Sequence, residues 1–108
     1  MRFTLRQLQV FVAVAMQGNV SKAAESLALS QSAASTSLSE LERQSSCQLF
    51  DRAGKRLNLN ALGQQLLPQA VALLDQAKEI ELVLDDEAPG TGIKRGERAF
   101  GKGNTQRL

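Results

Sequence analysis

The sequence lacks histidine, tryptophan and tyrosine, and it contains a single cysteine, Cys47. Without histidine, the chain has neither the commonest acid–base group of enzymes nor the commonest metal ligand. One thiol forms no internal disulfide and no multi-thiolate zinc site, so we expect no metal and no cofactor. We expect Cys47 to be a small packed side chain in a reducing cytosol. No convergent carboxylate pair or phosphate-binding glycine loop is visible, and an enzyme is therefore not expected.

Long apolar runs and aromatic clusters are missing as well. No stretch is long enough to cross a membrane, so no membrane association is expected. The four phenylalanines are scattered, which leaves an RNA-binding protein without a base-stacking platform. The length of 108 residues and the apolar content of 43% fit one small globular domain with an arm or tail.

The net charge of +2 conceals a strong segregation of charge along the chain. Residues 1–60 hold seven Lys or Arg against four Asp or Glu, and residues 61–89 hold one against six. Residues 90–108 hold five against one. This pattern favours a basic surface that meets an anion, an acidic segment kept away from it, and a basic tail.

The spacing of apolar residues predicts helices at the start of the chain. Thr4 and Gln7 have the spacing of a capping box, which places the first helix after Thr4. Gly18 and Asn19 separate this helix from a short second one, which runs from Val20 to about Leu27. The predicted apolar face of the first helix comprises Leu5, Leu8, Phe11, Val12 and Ala15.

A third helix is predicted from Gln31 to about Arg43, with Ser30 as its N-cap. Its inner stripe consists of Ala34, Leu38 and Leu41. The opposite side, which we call the hydroxyl face, carries Ser32, Ser35, Thr36 and Ser39. Short hydroxyl side chains allow close approach to another surface, whereas a solvated helix face usually carries Glu and Lys.

A β-hairpin and a long fourth helix are predicted next. The strands run from Leu49 to Arg52 and from Arg56 to Leu59, around a turn in which Gly54 takes a positive φ. Asn60 caps a helix from Ala61 to about Leu84. Such a helix spans about 36 Å, more than the small body covers, so its seam is expected to meet a second copy. Packing against its own domain remains the alternative. The seam has heptad spacing and comprises Leu66, Ala70, Leu73, Ala77, Ile80 and Leu84.

Several motifs occur in order along these elements. They are Leu5-x-x-Leu8-x-x-Phe11, Gly18-Asn19-Val20-Ser21-Lys22-Ala23-Ala24-x-x-Leu27, Ser30-Gln31-Ser32-Ala33-Ala34-Ser35, Leu41-Glu42, Leu49-Phe50-Asp51-Arg52 and Leu59-Asn60-x-x-Gly63. At this spacing, residues 3–75 resemble the N-terminal DNA-binding region of bacterial LysR-type transcriptional regulators. The resemblance implies a mainly α fold. A winged helix-turn-helix with a three-helix core and a two-strand wing is expected over residues 1–60, a linker and dimerisation helix over 61–87, and a flexible basic tail over 88–108.

The sequence departs from the family pattern at several places. Ser32 stands where the family usually has Pro, Asn60 replaces a usual Thr, and Ser45-Ser46 replaces a usual Leu-Gly. Family members are several times longer and carry a C-terminal effector-binding domain, whose start residues 89–108 do not clearly match. We therefore expect no small-molecule effector for this chain. An excised fragment, a truncated product and a natural short form all remain open.

The resemblance implies that the third helix enters the major groove of double-stranded DNA. Gln31 is expected to read an adenine edge. We expect contacts to base edges or phosphates from Ser32, Ser35 and Thr36. Three residues lie at the helix starts and have two possible roles, which are helix capping alone or capping together with phosphate contact. They are Asn19, Ser21 and Ser30. On the wing, Arg52 and Arg56 are expected to reach the DNA backbone or minor groove, with a solvated hairpin as the alternative. Weaker candidates for phosphate contact are Arg6, Lys22 and Lys55.

The resemblance also implies assembly and cellular role. A homodimer through residues 61–84, and often a tetramer, is expected to bind inverted repeats and to activate or repress transcription in the cytoplasm, associated with the nucleoid. The alternative is a dimerisation module that acts as a dominant-negative partner of a full-length regulator.

Overall fold

The computed structural model describes residues 2–86, and the predicted tail lies outside them. The elements, in chain order, are α1 (Leu5–Gln17), α2 (Val20–Ser26), α3 (Gln31–Ser45), β1 (Phe50–Ala53), β2 (Arg56–Leu59) and α4 (Ala61–Asp86). The structure is the mainly helical winged helix-turn-helix with a two-strand wing that the sequence predicts. Strand β1 begins one residue later than predicted, and α3 and α4 each end two residues later.

Two compact units divide the chain, Met1–Leu74 and Asp75–Leu108. The first unit holds the three short helices, the hairpin and the beginning of α4. In the second unit the described residues are 75–86, which form the end of α4. The boundary between the units therefore lies inside one helix. None of the described helices is both long and apolar enough to cross a membrane.

The core of the first unit forms around α1. Val10, Phe11 and Val14 are completely buried, whereas Leu5 remains 40% exposed. The apolar face predicted for α1 was therefore wrong at Leu5 and missed Val10 and Val14. The physical reason is that α1 packs against both α2 and α3, so its buried arc is wider than a single stripe.

Small side chains lie where α2 and α3 meet the core. Ala23 and Ala24 of α2 and Ala34 of α3 are buried, which allows the helix backbones to approach closely. The predicted inner stripe of α3 is confirmed, because its buried residues are Ala34, Leu38 and Leu41.

Local caps fix the helix starts as the sequence predicts. The Thr4 hydroxyl accepts a hydrogen bond from the Gln7 amide N–H at 3.0 Å, and Gln7 Oε1 accepts one from the Thr4 N–H at 3.2 Å. The side chains of Asn19 and Ser30 cap α2 and α3. Asn60 Oδ1 accepts a hydrogen bond from the N–H of Gly63 at 2.8 Å. Each cap satisfies a helix N–H that otherwise lacks a partner.

Both ends of α3 are bordered by a non-glycine residue with a positive φ, one of which, Ser46, stands where the family usually has glycine. Ala28, in the turn before α3, and Ser46, directly after it, have a φ of 58°. This left-handed backbone conformation is unfavourable for residues other than glycine and asparagine. Cys47 follows in the same loop and is exposed, so its prediction as a packed side chain was wrong.

Candidate nucleic-acid interface

The hydroxyl face of α3 is open to solvent. Ser32, Ser35, Thr36 and Ser39 are all exposed, and the buried stripe lies on the other side of the helix. Gln31, the first residue of α3, is exposed as well. The core of the described chain therefore covers none of these side chains, and the whole face is free to approach a flat or grooved partner.

The start of α3 combines a cap with a second hydroxyl. Ser30 Oγ accepts a hydrogen bond from the N–H of Ala33 at 3.1 Å, and it lies 3.4 Å from Ser32 Oγ. The cap uses one acceptor position of Ser30. The Ser32 hydroxyl is exposed beside it, next to N–H groups that the first helical turn leaves without helical partners.

A groove of about 270 Å³ separates α3 from the hairpin. Ser35 and Ser39 line it from α3, and Arg52 lines it from β1. The structure thus brings one of the predicted wing arginines beside the hydroxyl face. Glu42 and Asp51 also line the groove, but Glu42 Oε2 accepts a hydrogen bond from the Leu49 N–H at 2.9 Å.

The two predicted wing arginines emerge on opposite faces of the hairpin. Arg52 pairs with Leu57 and Ala53 pairs with Arg56 in the antiparallel register, and successive residues of a strand alternate in direction. A Cβ built on Gly18 would lie 2.6 Å from Arg56 Nη1, so the Arg56 guanidinium packs over the turn between α1 and α2. Leu57 N–H also donates to Gly18 O at 3.0 Å, which fixes β2 to this turn.

The remaining predicted contact residues are dispersed. Asn19 caps α2 through Oδ1, while Ser21 and Lys22 are exposed in the first turn of that helix. Lys55 lies exposed at the hairpin turn. The Arg6 guanidinium donates to Gln9 Oε1 at 3.3 Å on the surface of α1. Within residues 2–86, no hydrogen bond therefore joins Arg6 to the hydroxyl face.

Gln7 links α1 to α3 in a way that the sequence analysis missed. Its side chain is only 7% exposed. Its Oε1 accepts a hydrogen bond from Gln44 Nε2 at 3.2 Å, and its Nε2 donates to Glu40 Oε1 at 3.4 Å. The signal was present, because Gln7 has helical spacing with the buried residues Val10 and Val14.

The seam residues of α4 differ in exposure. In the first unit Ala70 is buried in its own chain, Leu66 is half-buried and Leu73 is 38% exposed. In the second unit Ala77 is half-buried, and Ile80 and Leu84 are 53% and 65% exposed. The first unit also has an apolar groove of about 510 Å³, lined chiefly by Phe3, Leu41, Leu62, Leu66, Ala70 and Leu73.

Comparisons with known proteins agree with this geometry. The model of the family described as "Bacterial regulatory helix-turn-helix protein, lysR family" matches residues 5–64. The uncharacterized HTH-type transcriptional regulator YeiE of Escherichia coli K12 is 52% identical over 87 residues, which cover 81% of this chain and 30% of YeiE. This chain thus spans less than a third of the length of that relative.

Solved structures show the same likeness. The CbnR_DBD–DNA complex matches with a TM-score of 0.67 at 32% identity, over 73% of this chain and 91% of the CbnR chain. The complex of BenM_DBD with benA site 1 DNA matches with a TM-score of 0.71 at 27% identity, over 82% of this chain and 99% of the BenM chain. Both neighbours were solved with DNA bound.

Proposed function

Because the chain belongs to the LysR family of bacterial regulatory helix-turn-helix proteins, we propose that it binds specific sequences in double-stranded DNA as a homodimer and so regulates transcription. The observation that carries the proposal is the exposed hydroxyl face of α3. A convex helix with short polar side chains fits the major groove, which is about 12 Å wide.

Base recognition is assigned to the start of α3. Gln31 has both a donor and an acceptor on its side-chain amide, which match the N7 and N6 groups of adenine. Ser32, Ser35 and Thr36 follow on the exposed side and reach base edges or phosphates. Because these hydroxyls carry no charge, one copy alone is expected to bind weakly.

Phosphate contacts surround this helix. Arg52 lines the groove beside Ser35, and this supports its proposed contact with the phosphates of the DNA strand that borders the hydroxyl face. Arg56 packs over Gly18, directly before the N-cap Asn19 of α2. We expect it to contact phosphates on that side of the domain. Charge-assisted contacts of this kind position the protein on DNA and do not read its sequence. Arg6, Lys22 and Lys55 remain predicted contacts of lower weight. For Asn19, Ser21 and Ser30, phosphate contact in addition to capping remains a prediction.

Exposed apolar side chains of α4 support the proposal that the chain dimerises through this helix. Ile80 and Leu84 lie largely in solvent, although residues of this kind are usually buried. The heptad spacing of the seam is typical of a helix that packs against a partner helix. The occupant we propose is a second copy of this chain, because its seam has the same spacing and a complementary pattern of sizes.

The pattern of sizes favours an antiparallel pair. The seam is symmetric about residue 75, so antiparallel copies place Ala70 opposite Ile80, and Leu73 opposite Ala77. Ala77 then meets a large side chain, whereas Ala70 is already covered by its own chain and only borders the site of Ile80. A parallel pair would place Ala77 against Ala77 and leave a void, which destabilises an interface. Ala70 forms part of the wall of the apolar groove, and that groove would receive Ile80 of the second copy.

A test of this function starts with the purified chain and a pool of random duplexes. After selection of bound sequences, the affinity for a selected duplex and for a scrambled duplex is measured by fluorescence anisotropy. Specific binding of an inverted repeat in the cytoplasmic range of ionic strength supports the proposal. Dimerisation without any DNA binding, even at low ionic strength, would favour the dominant-negative alternative instead.

A further inference from the structure

The exposed line of α3 does not end with the hydroxyl face. Ser32, Thr36, Ser39 and Arg43 recur at intervals of four, three and four residues, which places them along one side of the helix. All four are exposed, and they lie opposite the buried stripe. Arg43 is therefore a cation at the C-terminal end of the exposed side of α3, the surface that we propose binds DNA.

The carboxylates near Arg43 on α3 each accept a hydrogen bond from another residue. Glu40, three residues earlier, accepts a hydrogen bond from Gln7 Nε2 of α1 at 3.4 Å. Glu42 Oε2 accepts one from the N–H of Leu49 at 2.9 Å. Within residues 2–86, no ion pair or side-chain hydrogen bond involves Arg43. Its guanidinium thus remains available to an outside anion.

The position along the helix indicates which part of DNA it meets. Arg43 lies eleven residues beyond Ser32, or about 16 Å at 1.5 Å per residue. The major groove is about 12 Å wide, so a helix whose start reads bases carries its end past the base edges. At that distance the phosphates of the bordering strand are the nearest anions.

We propose that Arg43 is a further DNA-binding residue that contacts a backbone phosphate at the edge of the major groove. The proposal rests on the proposed function and adds a residue to the same interface. Arg43 also lies in the last turn of α3, where a cation stabilises the helix dipole whether or not DNA is bound. A purely structural role of that kind changes stability and leaves the salt dependence of DNA binding unaltered.

The experiment measures the slope of log affinity against log salt concentration for the full chain and a duplex selected from the random pool. Arg43→Gln is expected to reduce the magnitude of the slope by about 0.9 per protomer, because one fewer phosphate contact releases fewer counterions. The loss should be equal on a scrambled duplex, since a phosphate contact carries no sequence information. Arg43→Lys should keep the wild-type slope.

Lys78→Gln serves as the matched control, because it removes the same charge from an exposed position of α4. Its slope should equal that of the wild type. An unchanged slope for Arg43→Gln, or an equal decrease for Lys78→Gln, would overturn the inference while the proposed function stood. Failure of the wild-type chain to bind any duplex would overturn the proposed function and this inference together.

Discussion

Replacing Gly63 by alanine is expected to destabilise the protein, although alanine is the better helix former. Gly63 is buried near the start of α4. A Cβ at this position would collide with the carbonyl oxygen of Leu49 and would lie 2.8 Å from Leu59 Cδ2. The carbonyl cannot move away freely, because it accepts a hydrogen bond from the N–H of Asn60 at 3.0 Å.

The size of the effect follows from three terms. Overpacking of a core typically costs about 1–3 kcal/mol. Loss of the hydrogen bond between Asn60 and Leu49 adds roughly 1 kcal/mol. The intrinsic preference of a helix for alanine offsets about 1 kcal/mol. The free energy of unfolding should therefore fall by about 2 kcal/mol, and the melting temperature by roughly 10 °C for a domain of this size.

The assay is thermal and urea unfolding followed by far-ultraviolet circular dichroism at one fixed protein concentration, because dimerisation makes Tm depend on concentration. Ala72→Gly is the control, since Ala72 is exposed on the same helix. It should lose about 1 kcal/mol through helix propensity alone. If Gly63→Ala instead raised the stability by a similar amount, the close packing of α4 on Leu49 would be refuted.

Two further variants test other parts of the structure. Ala28→Gly should increase the free energy of unfolding by about 0.5–1 kcal/mol, because glycine relieves the left-handed φ of 58°; a loss of stability in urea unfolding would contradict that backbone conformation. Leu73→Asp should convert dimers to monomers in sedimentation velocity, because a charge in the seam would lose its water. Leu82→Asp, at an exposed position outside the seam, should remain dimeric, and equal effects of both substitutions would show that the seam is misplaced.

Local signals in the sequence were sufficient for the helix starts. The caps at Thr4, Asn19, Ser30 and Asn60 each depend on residues within three positions of one another, so spacing alone identifies them. The same holds for the turn at Gly54, whose φ is 63°. Short-range chemistry of this kind is encoded directly in the order of residues.

Features that depend on tertiary contact could not be read from the sequence. The helical spacing of Gln7 indicates its burial, but it does not show that Glu40 and Gln44, more than thirty positions away, supply hydrogen-bond partners for its amide. The direction of Arg56 depends on the strand register and on the position of Gly18, neither of which spacing specifies.

At the candidate interface, too, the local features were predicted from the sequence and those that depend on tertiary contact were not. The periodicity of α3 correctly separated its exposed and buried sides, because the side chains of one helix follow a fixed period of about 3.6 residues per turn. The exposed side predicted for α3 extended only to Ser39. Arg43 was not predicted as a contact, because only the structure shows that Glu40 and Glu42 each accept a hydrogen bond from another residue.

The central claim is that the exposed side of α3 lies in the major groove and reads bases. Its most direct test compares Gln31→Ala with the wild type on a selected and a scrambled duplex, at one salt concentration. Affinity for the selected duplex should fall by about 1–3 kcal/mol while affinity for the scrambled duplex stays nearly constant. An equal loss on both duplexes, or no loss on either, would contradict the reading of bases by this helix.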